Sequence, residues 1–193
     1  WMTTGSGIIH SELVTDKFKK NGGVMQGLQI WVNLPQKNKK AKPRYQHIKK
    51  NDIPIIDEGN DVSIKVLVGK VKKIYSAVQT YSPVSIFDVQ FTNPGIIDLD
   101  IPKNQMVMVY VIDGELKFHN DNKIAKNGQM IYFDHSADII NLTSISITGS
   151  YLVLAGEPIN ESVVRYGPFV TNTEGDMKQA MLDYQNGKMG ILS

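Results

Sequence analysis

In short runs between Val62 and Leu154 apolar side chains recur at every second position, a pattern that sets the fold class before any other feature is weighed. In "DVSIKVLVGKVKKIYSAV", residues 61–78, Val62, Ile64, Val66 and Val68 share one face, and Gly69 marks a turn or bulge. "VMVYVIDGELKF", residues 107–118, reads as a hairpin on Asp113-Gly114. "KNGQMIYF" carries a second tight turn at Asn127-Gly128, and "ISITGSYLVLAG" is strand, turn, strand. Successive side chains of a strand point to opposite faces, so Val107, Val109, Val111 and Ile131 are expected in a shared interior. Short strands at this spacing, with almost no helical periodicity, predict an all-β barrel or sandwich.

Two further segments extend the pattern. "GLQIWVNL", residues 27–34, alternates Leu28, Ile30, Val32 and Leu34 against Gln29, Trp31 and Asn33, which predicts a half-buried strand ended by Pro35. Near the other end, "TEGDMKQAMLDYQNGK" carries Met177, Ala180, Met181 and Tyr184 at helical spacing. Thr173 stands as N-cap, Asp176 lies three residues on, and Gly187 sits at the C′ position. The Met and Tyr stripe reads as core packing against a barrel wall rather than as a partner groove.

The chain of 193 residues is 41% hydrophobic and 21% charged, enough apolar content to bury a core. Its longest apolar runs, such as "MVMVYVI", are strand-sized and too short for a spanning helix, so no membrane association is expected. The absence of cysteine excludes disulfides, thiolate metal sites and cysteine nucleophiles, and suits a cytoplasmic location, extended to the nucleus for a eukaryotic source. The net charge of +2 conceals an asymmetry: residues 1–50 hold ten Lys or Arg against Glu12 and Asp16, leaving the remainder at −6. "QKNKKAKPR" contributes Lys37, Lys39, Lys40, Lys42 and Arg44. It lacks the interleaved aromatics of a single-strand binder and reads as a solvated loop, so direct nucleic-acid binding is not expected.

The chemistry-bearing segment is "GSGIIHSE", residues 5–12. If it enters a strand, His10 and Glu12 project to one side, an imidazole beside a carboxylate, both of them ligands for a divalent transition metal. Spacing alone favours a solvated ion pair over half of a metal site. Residue 1 is a tryptophan already inside an apparent strand, which leaves open either upstream sequence or a start at Met2.

The stretches "WMTTGSGIIHSE", "GLQIWVNLP", "PRYQ" followed by "IP", "AGEPI" and "GPFVTNTEGDMKQAMLDYQNGKMG" resemble the pirin family, in the family's order and from Trp1 to about Gly190. The resemblance implies double-stranded β-helix (cupin) barrels in tandem. Residues 1–60 would be the closing part of an incomplete first barrel and the connection, 61–156 the second barrel, and 157–193 an extension with a short C-terminal helix. It further implies an iron-type metal in the first barrel held by three His and one Glu, of which His10 and Glu12 match the "HSE" half and a His-x-His pair would lie before Trp1. With two ligands present, the site is expected to be incomplete. His47, His119 and His135 read as exposed or capping histidines, and the second barrel as metal-free.

The activity implied is iron-dependent quercetin (flavonol) dioxygenation when the first barrel is complete, with His10 and Glu12 at the catalytic metal and little turnover from residues 1–193 alone. The alternative is a non-catalytic binding or transcriptional co-regulatory module that meets a protein partner. An open first barrel leaves unpaired strand edges, which predicts self-association.

Overall fold

Apolar side chains at alternate positions are all buried only when their strand lies in a sheet with one face turned to a shared interior. The computed structural model describes residues 1–59, 61–118, 121–133 and 139–191. It contains two compact units: Trp1 with Gln46–Pro158, and Met2–Tyr45 with Ile159–Ser193. Strands β1 (Met2–Thr3) and β2 (Arg44–Tyr45) belong to the second unit and pair antiparallel. The first unit holds β3 (Ile55–Gly59), β4 (Val62–Val68), β5 (Lys70–Val71), β6 (Ile74–Tyr75), β7 (Val84–Phe91) and β8 (Gly95–Asp100). It continues with β9 (Met106–Asp113), β10 (Glu115–Phe118), β11 (Asp121–Lys126), β12 (Met130–Phe133), β13 (Ile139–Ser144) and β14 (Gly149–Gly156).

Six of these strands form an antiparallel sheet in the order β12-β9-β14-β7-β4-β3, and four form a second in the order β11-β10-β13-β8. Both sheets supply one core. Ile64, Val66, Val89, Phe91, Val109, Val111, Tyr151 and Val153 enter it from the larger sheet, and Ile97, Leu99, Leu116, Ala125, Ile140 and Leu142 from the smaller. The expected interior set is present: Val107, Val109 and Val111 are buried and Ile131 packs against the same cluster. This arrangement is the cupin fold, mostly β with a short C-terminal helix.

Three local expectations are corrected, the first in "ISITGSYLVLAG": residues 145–148 are the bend between β13 and β14 rather than a strand, and Gly149-Ser150 begin β14 rather than turn. A register shift against β7 between Val66 and Val68 reverses the alternation, so Val68 leaves the face of Val62, Ile64 and Val66 and joins a smaller cluster with Ile86 and Leu152. The strands on either side of Asp113-Gly114 do not form a hairpin. β9 pairs with β12 and β14, whereas β10 pairs with β11 and β13, so Gly114 is a corner at which the chain changes sheets. The tight turn expected at Asn127-Gly128 is present, and it too carries the chain between sheets, from β11 in the smaller to β12 in the larger. There the Gln129 N–H bonds to the Lys126 carbonyl and the Gly128 N–H to that of Val111.

Tyr151 joins the two sheets. Its ring is fully buried, meets Phe91 edge-on at 5.7 Å, and lies over Gly149, where a Cβ would stand 2.4 Å from the phenol oxygen. The hydroxyl donates to the Glu115 carbonyl at 3.0 Å and lies 2.8 Å from Ser144 Oγ. Burial pushes the phenol's titration up, against the hydrogen bond from Ser144.

In the second unit, β15 (Val164–Tyr166) and β16 (Phe169–Thr171) form a hairpin turning at Gly167-Pro168, with Gly167 at φ +53°. Helix α2 (Glu174–Gln185) packs on that hairpin. The Thr173 side chain accepts the Asp176 N–H, as the cap pattern predicts. At the other end Gly187, at φ +72°, and Lys188 return their N–H groups to the carbonyls of Tyr184 and Asp183, a Schellman ending. The burial expected of the helix stripe holds for Met177 alone. Met181 is half-buried, and Tyr184 is 52% exposed with its edge toward Phe169 at 6.0 Å, because the element beneath is a narrow two-stranded ribbon. Helix α1 (Asp16–Asn21), capped by Thr15, has no counterpart in the sequence pattern. Among the described residues no helix is long and apolar enough to cross a membrane.

The two corners differ in a testable way. Gly114 has φ +84° and a Cβ there would lie 2.7 Å from the Thr148 carbonyl oxygen, whereas Gly128 has φ +81° with nothing within 4 Å. In urea unfolding, Gly128→Ala is expected to cost about 1 kcal/mol for the backbone conformation alone, and Gly114→Ala at least about 2 kcal/mol more for the collision. Tyr151→Phe, which strips a partner from Ser144 and Glu115, is expected to cost about 1–2 kcal/mol.

Candidate functional site

The segment carrying His10 and Glu12 is held at its beginning by a glycine turn. The Gly7 N–H bonds to the Thr4 carbonyl, the Ser6 N–H to Ala41, and the Ile9 N–H to Met189. From there to Thr15 the chain is irregular, and His10 and Glu12 are both exposed. Glu12 Oε1 accepts from Gln29 Nε2 at 3.3 Å. The strand expected through residues 8–12 is therefore absent, and with it the alternation argument that put the two side chains on one face. The strand expected over Gly27–Leu34 is absent as well: residues 22–35 hold no regular element, and Leu28, Ile30 and Trp31 are exposed. The cause is shared. A strand needs a neighbour to take its N–H and C=O groups, and no described strand runs beside either stretch.

Among the described residues no three His, Asp or Glu side chains stand close enough together to hold a metal ion. One imidazole and one carboxylate have the right chemistry for iron or another divalent transition metal but fall short of a coordination shell. His10 and Glu12 alone therefore do not hold an iron centre, and no reaction step is assigned to them. His47 is exposed in the first unit, while His119 and His135 lie outside the described residues.

The basic stretch after Pro35 is more structured than a solvated loop. Lys37 and Lys42 are exposed, but Lys39 is half-buried, its ammonium donating to Asn33 Oδ1 and, at 2.8 Å, to the Leu34 carbonyl. Burial lowers the Lys39 titration, and the Glu161 carboxylate partly offsets it. Glu161 Oε2 accepts the Gln36 N–H at 2.6 Å and the amide of the buried Asn172 at 3.1 Å. Trp31, read as an outward aromatic, lies under the Arg165 guanidinium at 5.4 Å from the ring centre. These partners come from distant parts of the chain, and no spacing in the sequence signals them.

The first unit has a crevice of about 20 Å³ lined by Glu58, Lys72, Phe87, Asp98, Leu99 and Asp100. Glu58 and Lys72 form an ion pair of 2.6 Å at its edge. It holds about one water and is far too small for a three-ring aromatic.

Known proteins resemble this chain in sequence and in fold. The family model described as the pirin C-terminal cupin domain matches residues 86–190. Pirin-1 of Arabidopsis thaliana is 35% identical over 194 residues, covering 99% of this chain and 65% of the relative. Pirin of Homo sapiens is 32% identical over 197 residues, covering 99% and 64%. This chain thus spans a little under two thirds of the length of both. A crystal structure of quercetin 2,3-dioxygenase from Acinetobacter baumannii matches 100% of this chain and 67% of its own at a TM-score of 0.93, with 30% identity.

Asp176 supplies a pH test of the second unit. Its carboxylate accepts the Thr173 hydroxyl at 2.7 Å and meets Lys40 Nζ at 3.2 Å, and the two, Thr173 first, hold its titration below the ordinary carboxylate range. A depressed carboxyl stabilises the fold above its unfolded value of about 3.9 and loses that contribution as pH falls through the folded value. In an NMR titration the Asp176 carboxyl is expected to protonate below that reference, with Lys40→Ala moving its midpoint up.

Proposed function

The chain belongs to the pirin family, and on that premise we propose that it is part of a metal-dependent flavonol dioxygenase of the quercetin 2,3-dioxygenase kind. The observation that carries this reading is the superposition, over the whole chain, on an Acinetobacter baumannii protein named for that activity. His10 and Glu12 are proposed as two of the metal's ligands, the imidazole through a ring nitrogen and the glutamate through a carboxylate oxygen. The choice rests on donor chemistry and on the "HSE" resemblance, since neither strand geometry nor a cluster of other ligands supports it. Iron is the proposed metal, with other divalent transition metals as competitors. When bound, such a metal activates substrate oxygen atoms and dioxygen for ring oxidation. The Gln29 amide then restrains the carboxylate through its bond to Glu12 Oε1, as outer partners of a metal ligand commonly do.

The test compares the whole protein, of which this chain is proposed to be part, with its His10→Ala, Glu12→Ala double variant. Metal content after loading with ferrous iron is expected to fall in the variant, together with iron-dependent oxygen uptake in the presence of quercetin. Equal metal content in the two would remove His10 and Glu12 from the site. Stoichiometric iron without oxygen uptake would favour the binding or co-regulatory module over the enzyme.

A further inference from the structure

From the contacts around Gly7 we infer that the tail Lys188–Gly190 is a latch that holds the segment leading into His10 and Glu12, with Met189 as its key. The inference stands on the geometry of the second unit, whether or not those two residues take a metal.

The glycine turn is gripped from two directions. On one side the Ser6 N–H bonds to the Ala41 carbonyl at 2.9 Å, and a Cβ on Gly5 would lie 1.9 Å from that oxygen, so the backbone rests directly on it. On the other side a Cβ on Gly7 would lie 2.5–2.7 Å from Sδ, Cε and Cγ of Met189, so the thioether lies flat against bare main chain. Met189 holds the next residues through its backbone too, its carbonyl accepting the Ile9 N–H at 3.0 Å. One residue thus contributes a packing contact and a hydrogen bond on opposite sides of Ile8. Among the described residues the next hydrogen bond along this segment is that of Glu12 with Gln29, so His10 is the first residue past the latch.

Met189 is itself firmly placed. The Schellman ending of α2 fixes Gly187 and Lys188, the Lys188 ammonium pairs with Asp183 at 2.8 Å, and the Gly190 N–H returns to the Gly187 carbonyl at 3.2 Å. The helix end therefore aims Met189, and Met189 sets where residues 4–9 run. A flexible thioether suits this contact, since it adapts to an irregular backbone surface. Glycine at position 7 is needed twice over, for its φ of +114° and for the space Met189 takes.

Amide hydrogen exchange of the intact chain tests the latch. In Met189→Ala the Ile9 amide is expected to exchange about tenfold faster or more, and Ser6 to follow, as expected of local opening. Met189→Leu, which refills most of the space over Gly7, is expected to keep Ile9 within about threefold of the wild-type rate. A chain ending at Lys188 should lose Ile9 protection altogether. The amides of Val109 and Val153, in the barrel core, should be unaffected in every variant and serve as the control for folding. Wild-type protection of Ile9 in Met189→Ala or in the shortened chain would overturn the inference. So would acceleration in Met189→Leu equal to that in Met189→Ala, or acceleration of Val109 and Val153 as large as that of Ile9.

Discussion

The backbone ladder along β14 is the interaction on which the barrel depends. This strand is paired on both edges, with β7 from Gly149 opposite Phe91 to Gly156 opposite Val84, and with β9 from Ser150 opposite Asp113 to Gly156 opposite Met106. Its N–H and C=O groups are thereby satisfied without solvent, and its inward residues Tyr151, Val153 and Ala155 are committed to the core. A slip of one residue would turn all three outward. β12 takes its register from β9, and β4 from β7. The smaller sheet is tied to the same strand where the Tyr151 hydroxyl reaches Ser144 and the Glu115 carbonyl. Hydrophobic burial drives the two sheets together, but this ladder and this hydroxyl decide which residues meet.

Alternation is a property of neighbours in sequence, which is why strands such as β4 and β9 could be read directly and their pairing could not. Asp113-Gly114 and Asn127-Gly128 announce that the chain turns, and it does. A turn signal is silent on whether the next strand returns beside the last or crosses to another sheet, and in this fold both cross. The space that keeps position 114 a glycine is taken by the Thr148 carbonyl, from a segment more than thirty residues later. Val68 illustrates the complementary failure: its side chain obeys alternation on paper, and one irregular pair against β7 sends it to the opposite face. The caps of α2 were legible because each is made within four or five residues, and the modest burial of its stripe was not, because that depends on what lies underneath.

The same division runs through the candidate site. The donor chemistry of His10 and Glu12 is visible in the residue types. Their geometry is not, since a strand exists only by virtue of another strand, and the apolar alternation of residues 27–34 is a capacity to pair rather than a pairing. Lys39 stands in a run of lysines with nothing to mark it. Asn33, Leu34 and Glu161 withdraw it from solvent while Lys37 stays exposed, and Glu161 comes from beyond the entire barrel. Trp31 acquires its partner, Arg165, in the same way. Sequence shows which groups are able to act, and contacts between distant segments select among them.

The way this chain bonds the glycines that follow its asparagines bears on its chemical lifetime. Asn-Gly pairs are the usual sites of spontaneous deamidation, in which the glycine nitrogen attacks the asparagine side-chain carbonyl to close a succinimide ring. In Asn21-Gly22, Asn127-Gly128 and Asn186-Gly187 that nitrogen already donates its proton to a carbonyl, of Phe18, Val111 and Tyr184 respectively. Ring closure would have to break that bond and twist a residue held at positive φ in each case. The folded chain is thus protected where its sequence is most prone to ageing, and peptide mapping of samples stored folded and in denaturant would display the difference.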